Sequence, residues 1–233
     1  MVHRERRAQQ TIRSAFRFAS TINDQLAHRA RHDALTGLPN RLLVESELQS
    51  ALREAADGRR SLALLFLDID RFKRVNDSLG HLVGDAVLAE VAARLIRSIP
   101  DGAIAARIGG DEFVVILKYP ADKGDVERAA RRILDEVGVP LTVAGSELYP
   151  HVSLGISMFP QDGQDAVILQ RRADLALYRA KSQGTNRYEF FSQELGDSMA
   201  NAIAMEQCLR KALEGDWLEL YYQGQFSQVG KPD

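Results

Sequence analysis

Four carboxylates in two short stretches carry the chemistry this sequence could perform. Asp68 and Asp70 close an apolar run, Leu62 to Ile69, while Asp111 and Glu112 directly follow Gly109 and Gly110. Phosphoryl or nucleotidyl transfer needs acidic side chains that converge on a divalent cation, which activates an attacking hydroxyl and offsets phosphate charge. Strand ends of open α/β sheets are common ligand positions, and paired glycines let a phosphate approach the backbone closely. If the two strands are neighbours, Asp68 and Asp111 face each other across a small gap. Mg²⁺ suits that arrangement: a few carboxylates, a backbone carbonyl, water and phosphate oxygens. By pattern alone, acidic residues at strand ends and hairpin tips are more often solvated turn residues, and both readings stand at this point.

The elements that must position these residues can be read in outline. Leu62 to Ile69 is almost wholly apolar, as expected of a central strand covered on both faces. Before it, the turn cluster Thr36-Gly37-Leu38-Pro39-Asn40 leads into a helix through about Ala56. After it, Val83, Val87, Val91 and Leu95 mark one face of a helix that ends near Pro100. Ala103 to Ile108 and Phe113 to Leu117 are two strands joined by the glycine hairpin. A helix from about Lys123 to Val137 leads to a β-rich stretch, Leu141 to Phe159. A further helix from about Asp165 to Ser182 is closed by Gly184, and a short strand, Arg187 to Phe191, follows. The order is β-α-β-β-α-β with additions. It predicts an α+β fold, a ferredoxin-like or palm-like core with an antiparallel central sheet flanked by helices, here expected on one face.

Two further regions flank this core. Residues 1–32 predict a charged helical linker whose Ile12, Phe16, Ala19, Asn23, Leu26 and Ala30 form a narrow apolar seam. The seam suits pairing with a second helix or packing on its own domain. Residues 192–233 predict a linker helix with Met205, Leu209 and Leu213, then a strand from Trp217 to Gln223.

Arg107-Ile108-Gly109-Gly110-Asp111-Glu112-Phe113 resembles the signature that names the GGDEF family of diguanylate cyclases. Asp33-Ala34-Leu35-Thr36-Gly37-Leu38-Pro39-Asn40-Arg41 resembles the family's opening turn, and Leu67-Asp68-Ile69-Asp70-Arg71-Phe72-Lys73 its metal-binding strand. Asn76-Asp77-Ser78-Leu79-Gly80-His81-Leu82-Val83-Gly84-Asp85 resembles its guanine-binding segment, and Asp174 to Lys181 its closing helix. Five ordered motifs thus fall within the region of residues 33–191.

The resemblance implies a role for each residue. Asp68, Asp111 and the Ile69 carbonyl would hold Mg²⁺ or Mn²⁺ against the triphosphate of GTP. Asp111 would also take the proton of the 3′-hydroxyl, with Glu112 supporting metal and charge. Asn76 and Asp85 would read guanine, since an amide offers donor and acceptor and a carboxylate accepts from ring N–H and amino groups. His81 would sit beside the nucleotide or serve the start of its helix. Phe72 and Lys73 would support the phosphates, as would Gly109 and Gly110, and Lys181 would neutralise triphosphate charge. Because one domain holds one substrate, turnover would require a homodimer, at least transiently, and the N-terminal helix is a plausible device for it.

Two departures from the family pattern stand out. A second basic residue is common four positions after the lysine, where this chain has Thr185, with Arg187 close by. An Arg-x-x-Asp product-inhibition site often precedes the hairpin, and the equivalent here is Pro100-Asp101-Gly102-Ala103, which predicts no strong inhibition of that type. The last region resembles the beginning of an EAL phosphodiesterase domain: Glu206, Leu209, Arg210, Ala212 and Leu213, then Leu220-Tyr221-Tyr222-Gln223, with Gly224 where proline is usual. The resemblance implies a tandem parent, with a sensory domain upstream and an EAL domain downstream.

Composition limits the alternatives. The chain has 233 residues, with 30 Lys plus Arg against 32 Asp plus Glu, so a net charge of −2 offers no broad attraction to nucleic acid or anionic lipid. A single cysteine, Cys208, excludes an internal disulfide and suits the cytoplasm. No apolar run reaches membrane-spanning length, although a larger parent could be membrane-anchored. The resemblance implies one of two functions: a metal-dependent cyclase that joins two GTP into cyclic di-GMP, or a catalytically weak GTP-binding domain that controls an attached phosphodiesterase.

Overall fold

The structure, a computed structural model, describes residues 28–215 together with Trp217, Glu219, Tyr221 and Tyr222. Helix α1 (Arg41–Gly58) starts at Asn40, whose side-chain oxygen accepts from the Leu43 amide, and it buries Val44, Leu48, Ala51, Leu52 and Ala55 at helical spacing. Strand β1 (Leu62–Ile69) has the bounds expected of it. There follow α2 (Phe72–Leu79), α3 (His81–Ser98), β2 (Ile104–Gly109), β3 (Glu112–Lys118) and α4 (Lys123–Val137). The β-rich stretch resolves into β4 (Leu141–Val143), β5 (Ser146–Leu148) and β6 (Val152–Phe159). Then come α5 (Ala166–Ser182), β7 (Tyr188–Phe190) and α6 (Gln193–Glu214).

Five strands form one sheet in the order β2-β3-β1-β6-β7, and β4 pairs with β5 as a separate hairpin. β1 runs antiparallel to both β3 and β6, and β2 is antiparallel to β3. Only the β6–β7 pair among these is parallel, so α5 must carry the chain back along the sheet between them.

Successive side chains of β1 point to opposite faces, and each face has its own core. Ala63, Leu65, Leu67 and Ile69 pack with Val87, Leu88, Val91 and Leu95 of α3 and Val126, Ala130 and Ile133 of α4. Leu62 and Leu64 pack with Val44, Leu48 and Leu52 of α1 and Leu169 of α5. Helices therefore cover both faces of the sheet, not one. The near-continuous apolar run of β1 requires this, because an uncovered face would leave large apolar side chains in water. Each fully buried Leu or Ile contributes about 1.5–3 kcal/mol.

α5 sits unusually close to the sheet. A Cβ placed on Gly155 of β6 would overlap the backbone of Ala173 and Leu177, so glycine is what permits this approach. No helix among the described residues is long and apolar enough to cross a membrane.

The chain divides into two compact units between Ser192 and Gln193. In the second, α6 matches the expected helix, but Trp217, Glu219, Tyr221 and Tyr222 carry no strand. A lone strand would leave its ladder groups unpaired, and the remaining positions of Trp217 to Gln223 lie outside the described residues. Ile12, Phe16, Ala19, Asn23 and Leu26 also lie outside them.

Candidate active site

The site forms where the C-terminal end of β1 meets the start of β3. Asp68 pairs in register with Glu112, and the Ile69 amide donates to the Asp111 carbonyl at 3.3 Å. The sheet thus brings both acidic stretches to one edge, as neighbouring strands would. Lys181, in the last turn of α5, places its Nζ 2.7 Å from Asp68 Oδ1. Burial pushes the Asp68 carboxyl above its ordinary value, and the charges of Asp111 and Asp70 push the same way against the Lys181 ammonium. One ammonium therefore does not offset the burial and the two neighbouring carboxylates. The position attracts further positive charge.

Asp68, Asp111 and the Ile69 carbonyl are oxygen donors of the kind a hard divalent cation takes. Among the described residues no group of three or more His, Cys, Asp or Glu converges as a metal cage. Two carboxylates with a carbonyl leave the rest of an octahedron to water and phosphate oxygens, which is the habit of Mg²⁺.

The bend between β2 and β3 is shaped by its glycines and braced by an arginine. Gly109 and Gly110 have φ of 147° and 54°, and a Cβ on either would meet open space, so both lie bare to solvent. The ladder shifts register between Arg107 and Gly109, a bulge that re-aims the chain beside the acidic pair. Arg107 donates to the Gly110 carbonyl through Nε at 3.0 Å and Nη2 at 2.7 Å. Its Nη1 reaches both oxygens of Asp33, at 3.0 and 3.1 Å. Burial works to raise the Asp33 carboxyl, but the Thr36 hydroxyl and amide together with Arg107 outweigh it and hold it below the ordinary carboxylate value. One guanidinium thus fastens the bend to the opening turn.

Asp70 serves a different purpose from Asp68. Its Oδ1 accepts from Ser153 Oγ at 2.7 Å and its Oδ2 from the Asn186 amide at 2.9 Å. Both oxygens are spent on tying β1 to β6 and to the loop after α5. Arg187, considered above as a substitute for a base at Thr185, donates to Glu189 Oε1 at 2.6 Å and to the Gln183 carbonyl at 3.5 Å. Lys181, not Arg187, is the cation paired with Asp68.

The remaining predicted residues lie on the corner that follows β1. Only Asp70 and Arg71 separate β1 from α2, and Gly80, with φ of 83°, separates α2 from α3. Phe72 is buried at the start of α2, Lys73 is exposed and Asn76 half-buried. His81 and Asp85 are exposed on the first turns of α3. A Cβ on Gly84 would overlap Asn76 Oδ1, so the Asn76 amide lies against the α3 backbone next to Asp85. Sequence reading missed the clamping roles of Asp70 and Arg107 and the close approach at Gly84. Each depends on a partner distant in sequence or on space that only the fold defines.

The family described as "Diguanylate cyclase, GGDEF domain" matches residues 30–187. The chain is 39% identical over 202 residues to the signaling protein YkoW of Bacillus subtilis, covering 86% of this chain and 25% of that protein. It is 38% identical over 201 residues to the bifunctional diguanylate cyclase/cyclic di-GMP phosphodiesterase MucR of Pseudomonas aeruginosa, covering 86% and 29%. A solved structure of the isolated GGDEF domain of PA1120 (TpbB or YfiN) from the same species superposes with a TM-score of 0.71 at 37% identity, covering 72% of this chain and 99% of that one. The chain spans about a quarter of the length of these two full-length relatives. A mixed sheet with the acidic bend at its edge, a match over most of the core and this likeness in sequence and structure lead to one conclusion: the chain belongs to the GGDEF family of cyclic di-GMP signalling domains.

Proposed function

We propose that this chain is a diguanylate cyclase that condenses two GTP molecules into cyclic di-GMP. The observation that carries the reading is the half-buried Asp68, which contacts Lys181 and feels the charge of Asp111 at the open end of β1. Asp68, Asp111 and the Ile69 carbonyl would hold Mg²⁺ or Mn²⁺. That ion, when bound, supplies Lewis-acid polarisation of phosphate and lowers the pKa of a bound hydroxyl. Asp111 takes the proton of the 3′-hydroxyl, and Glu112 adds negative charge beside the cation. Lys181 neutralises charge on the triphosphate. Gly109 and Gly110 let it approach the backbone, with Phe72 and Lys73 flanking it. Asn76 and Asp85 read the base, and His81 borders it.

Each 3′-oxygen forms a bond to the α-phosphorus of the GTP on a second domain, and the bond from that phosphorus to pyrophosphate breaks. Two such steps close the ring and release two pyrophosphates. The reaction therefore needs a homodimer, for which the helical linker, residues 1–32, is the proposed device. Residues 33–191 form the catalytic domain, and residues 192–233 a linker helix and the beginning of an EAL domain, in a tandem parent that works in the cytoplasm and carries an upstream sensory domain.

The test is to incubate the 233-residue chain with Mg²⁺ and GTP and assay cyclic di-GMP and pyrophosphate. Both products are expected, with a rate that rises faster than linearly in protein concentration until dimers saturate. A second reading has one observation in its favour. With Arg187 committed to Glu189, no second basic residue beyond Lys181 is offered from the end of α5, which suits a domain that binds GTP to regulate an attached phosphodiesterase. GTP binding without product at high protein concentration would select that reading.

A further inference from the structure

We infer that Gly84 is a positioning residue that sets base recognition by fixing the Asn76 amide. The inference rests on the proposed guanine-reading role of Asn76 and deepens it.

α2 and α3 meet at Gly80, where the chain folds back on itself. The Gly80 amide donates to the Asn76 carbonyl at 2.9 Å, and the Gly84 amide donates to the Gly80 carbonyl at 3.2 Å. This corner turns the Asn76 side chain onto the first turn of α3, and Gly84 is buried beneath it. A Cβ on Gly84 would overlap Asn76 Oδ1, stand 3.0 Å from Asn76 Cγ and stand 3.2 Å from Phe72 Cζ. Gly84 lies within α3, outside the positive-φ positions, so space rather than backbone conformation demands glycine.

The way the overlap would be relieved decides the consequence. Moving helix backbone is costly, since α3 is locked into the core by Val87, Leu88, Val91 and Leu95. Phe72 is buried and need give only a few tenths of an ångström. Asn76 Oδ1 is the end of a short, half-exposed side chain, and rotating it away is the least costly relief. Alanine at position 84 would thus leave the fold in place and turn the amide out of its seat. Asp85 would keep its place on α3, so one of two base-reading groups is lost.

The test is a double-mutant cycle in the full chain, with G84A, N76A and G84A/N76A titrated with the α,β-methylene analogues of GTP and ATP. G84A is expected to weaken binding of the guanine analogue about tenfold, narrow its advantage over the adenine analogue and raise KM for GTP more than it lowers kcat. The melting temperature should stay near that of the native chain. In the N76A background the same substitution should cost little more, because the obstructing amide is gone. Native guanine affinity in G84A would overturn the inference, as would a G84A loss that persists in full in the N76A background. N76A binding like the native chain would overturn the guanine-reading role itself, and this inference with it. If G84A alone fails to fold, a folded double variant that binds like N76A supports the contact, and an unfolded double variant refutes it.

Discussion

The two halves of the site are built by different means. The carboxylate half sits at the edge of the sheet and is held by many bonds: the Ile69–Asp111 backbone contact, the Lys181–Asp68 ion pair, the Arg107 brace and the Asp70 clamp. The half proposed to read the base is a corner between two helices, seated by one close approach at Gly84. Charged groups that must stay near each other against their own repulsion need several constraints. A neutral amide needs only a snug place to lie. The difference predicts where function and stability can be separated and where they cannot.

The largest expected effect is at the carboxylates. Asp111→Ala should lower cyclic di-GMP formation at least about a thousandfold while the melting temperature holds or rises, since it relieves repulsion on Asp68. A collapsed fold would break the comparison, because the bend would then depend on Asp111 itself rather than on the Arg107 brace.

Lys181→Met comes next, with turnover about a hundredfold lower. It also carries a sign in pH. The Asp68 carboxyl lies above its ordinary 3.8, and the lysine pulls it down. As pH rises from 3.8, an unfolded chain releases this proton first, so the metal-free folded chain loses stability until the folded group ionises. Without the lysine that window should extend to higher pH, which melting curves across acid pH would show. An unshifted window would mean that the ion pair does not tune Asp68.

The smallest effect is expected at the brace. Asp33→Asn should cost about 1–2 kcal/mol at neutral pH, roughly 2–8 °C in melting temperature. The Asp33 carboxyl lies below its ordinary value, so its contribution is complete above 3.8 and is lost as pH falls through the folded value. The gap between the two chains should close in strong acid. A constant gap would point to shape rather than charge.

Much of the fold was legible because its signals are local. The apolar run set β1, and Asp122, whose side chain accepts from the Asp125 amide, marks the start of α4 where the sequence places it. The apolar run of β1 signalled two covered faces, whereas the element order alone suggested helices on one face, and the run proved the better guide. The start of α3 near His81 was legible, but the separate short helix α2 was not, because its eight residues carry too few apolar positions to show a face. For the candidate site, the motifs picked out residues that the sheet does bring to one edge. Spacing alone could not separate Asp68 from Asp70, although the family resemblance gave the metal role to Asp68 only. A spacing of two implies one face only within a strand, and Asp70 lies just past the end of β1, where its carboxylate turns to Ser153 and Asn186. Arg107 and Asp33 are 74 positions apart, so no local pattern joins them.

The parallel pairing of β6 with β7 has a consequence for insertions and deletions. α5 is anchored at its start by Asp165, whose side chain accepts from the Ile168 amide, and is pressed to β6 at Gly155, so its length acts as a ruler that measures out the reach of Lys181. Removing a single residue between Leu177 and Lys181 would swing the ammonium by about 100° and draw it back by about 1.5 Å. Point changes on the outer side of this helix are tolerable. A change of register is not.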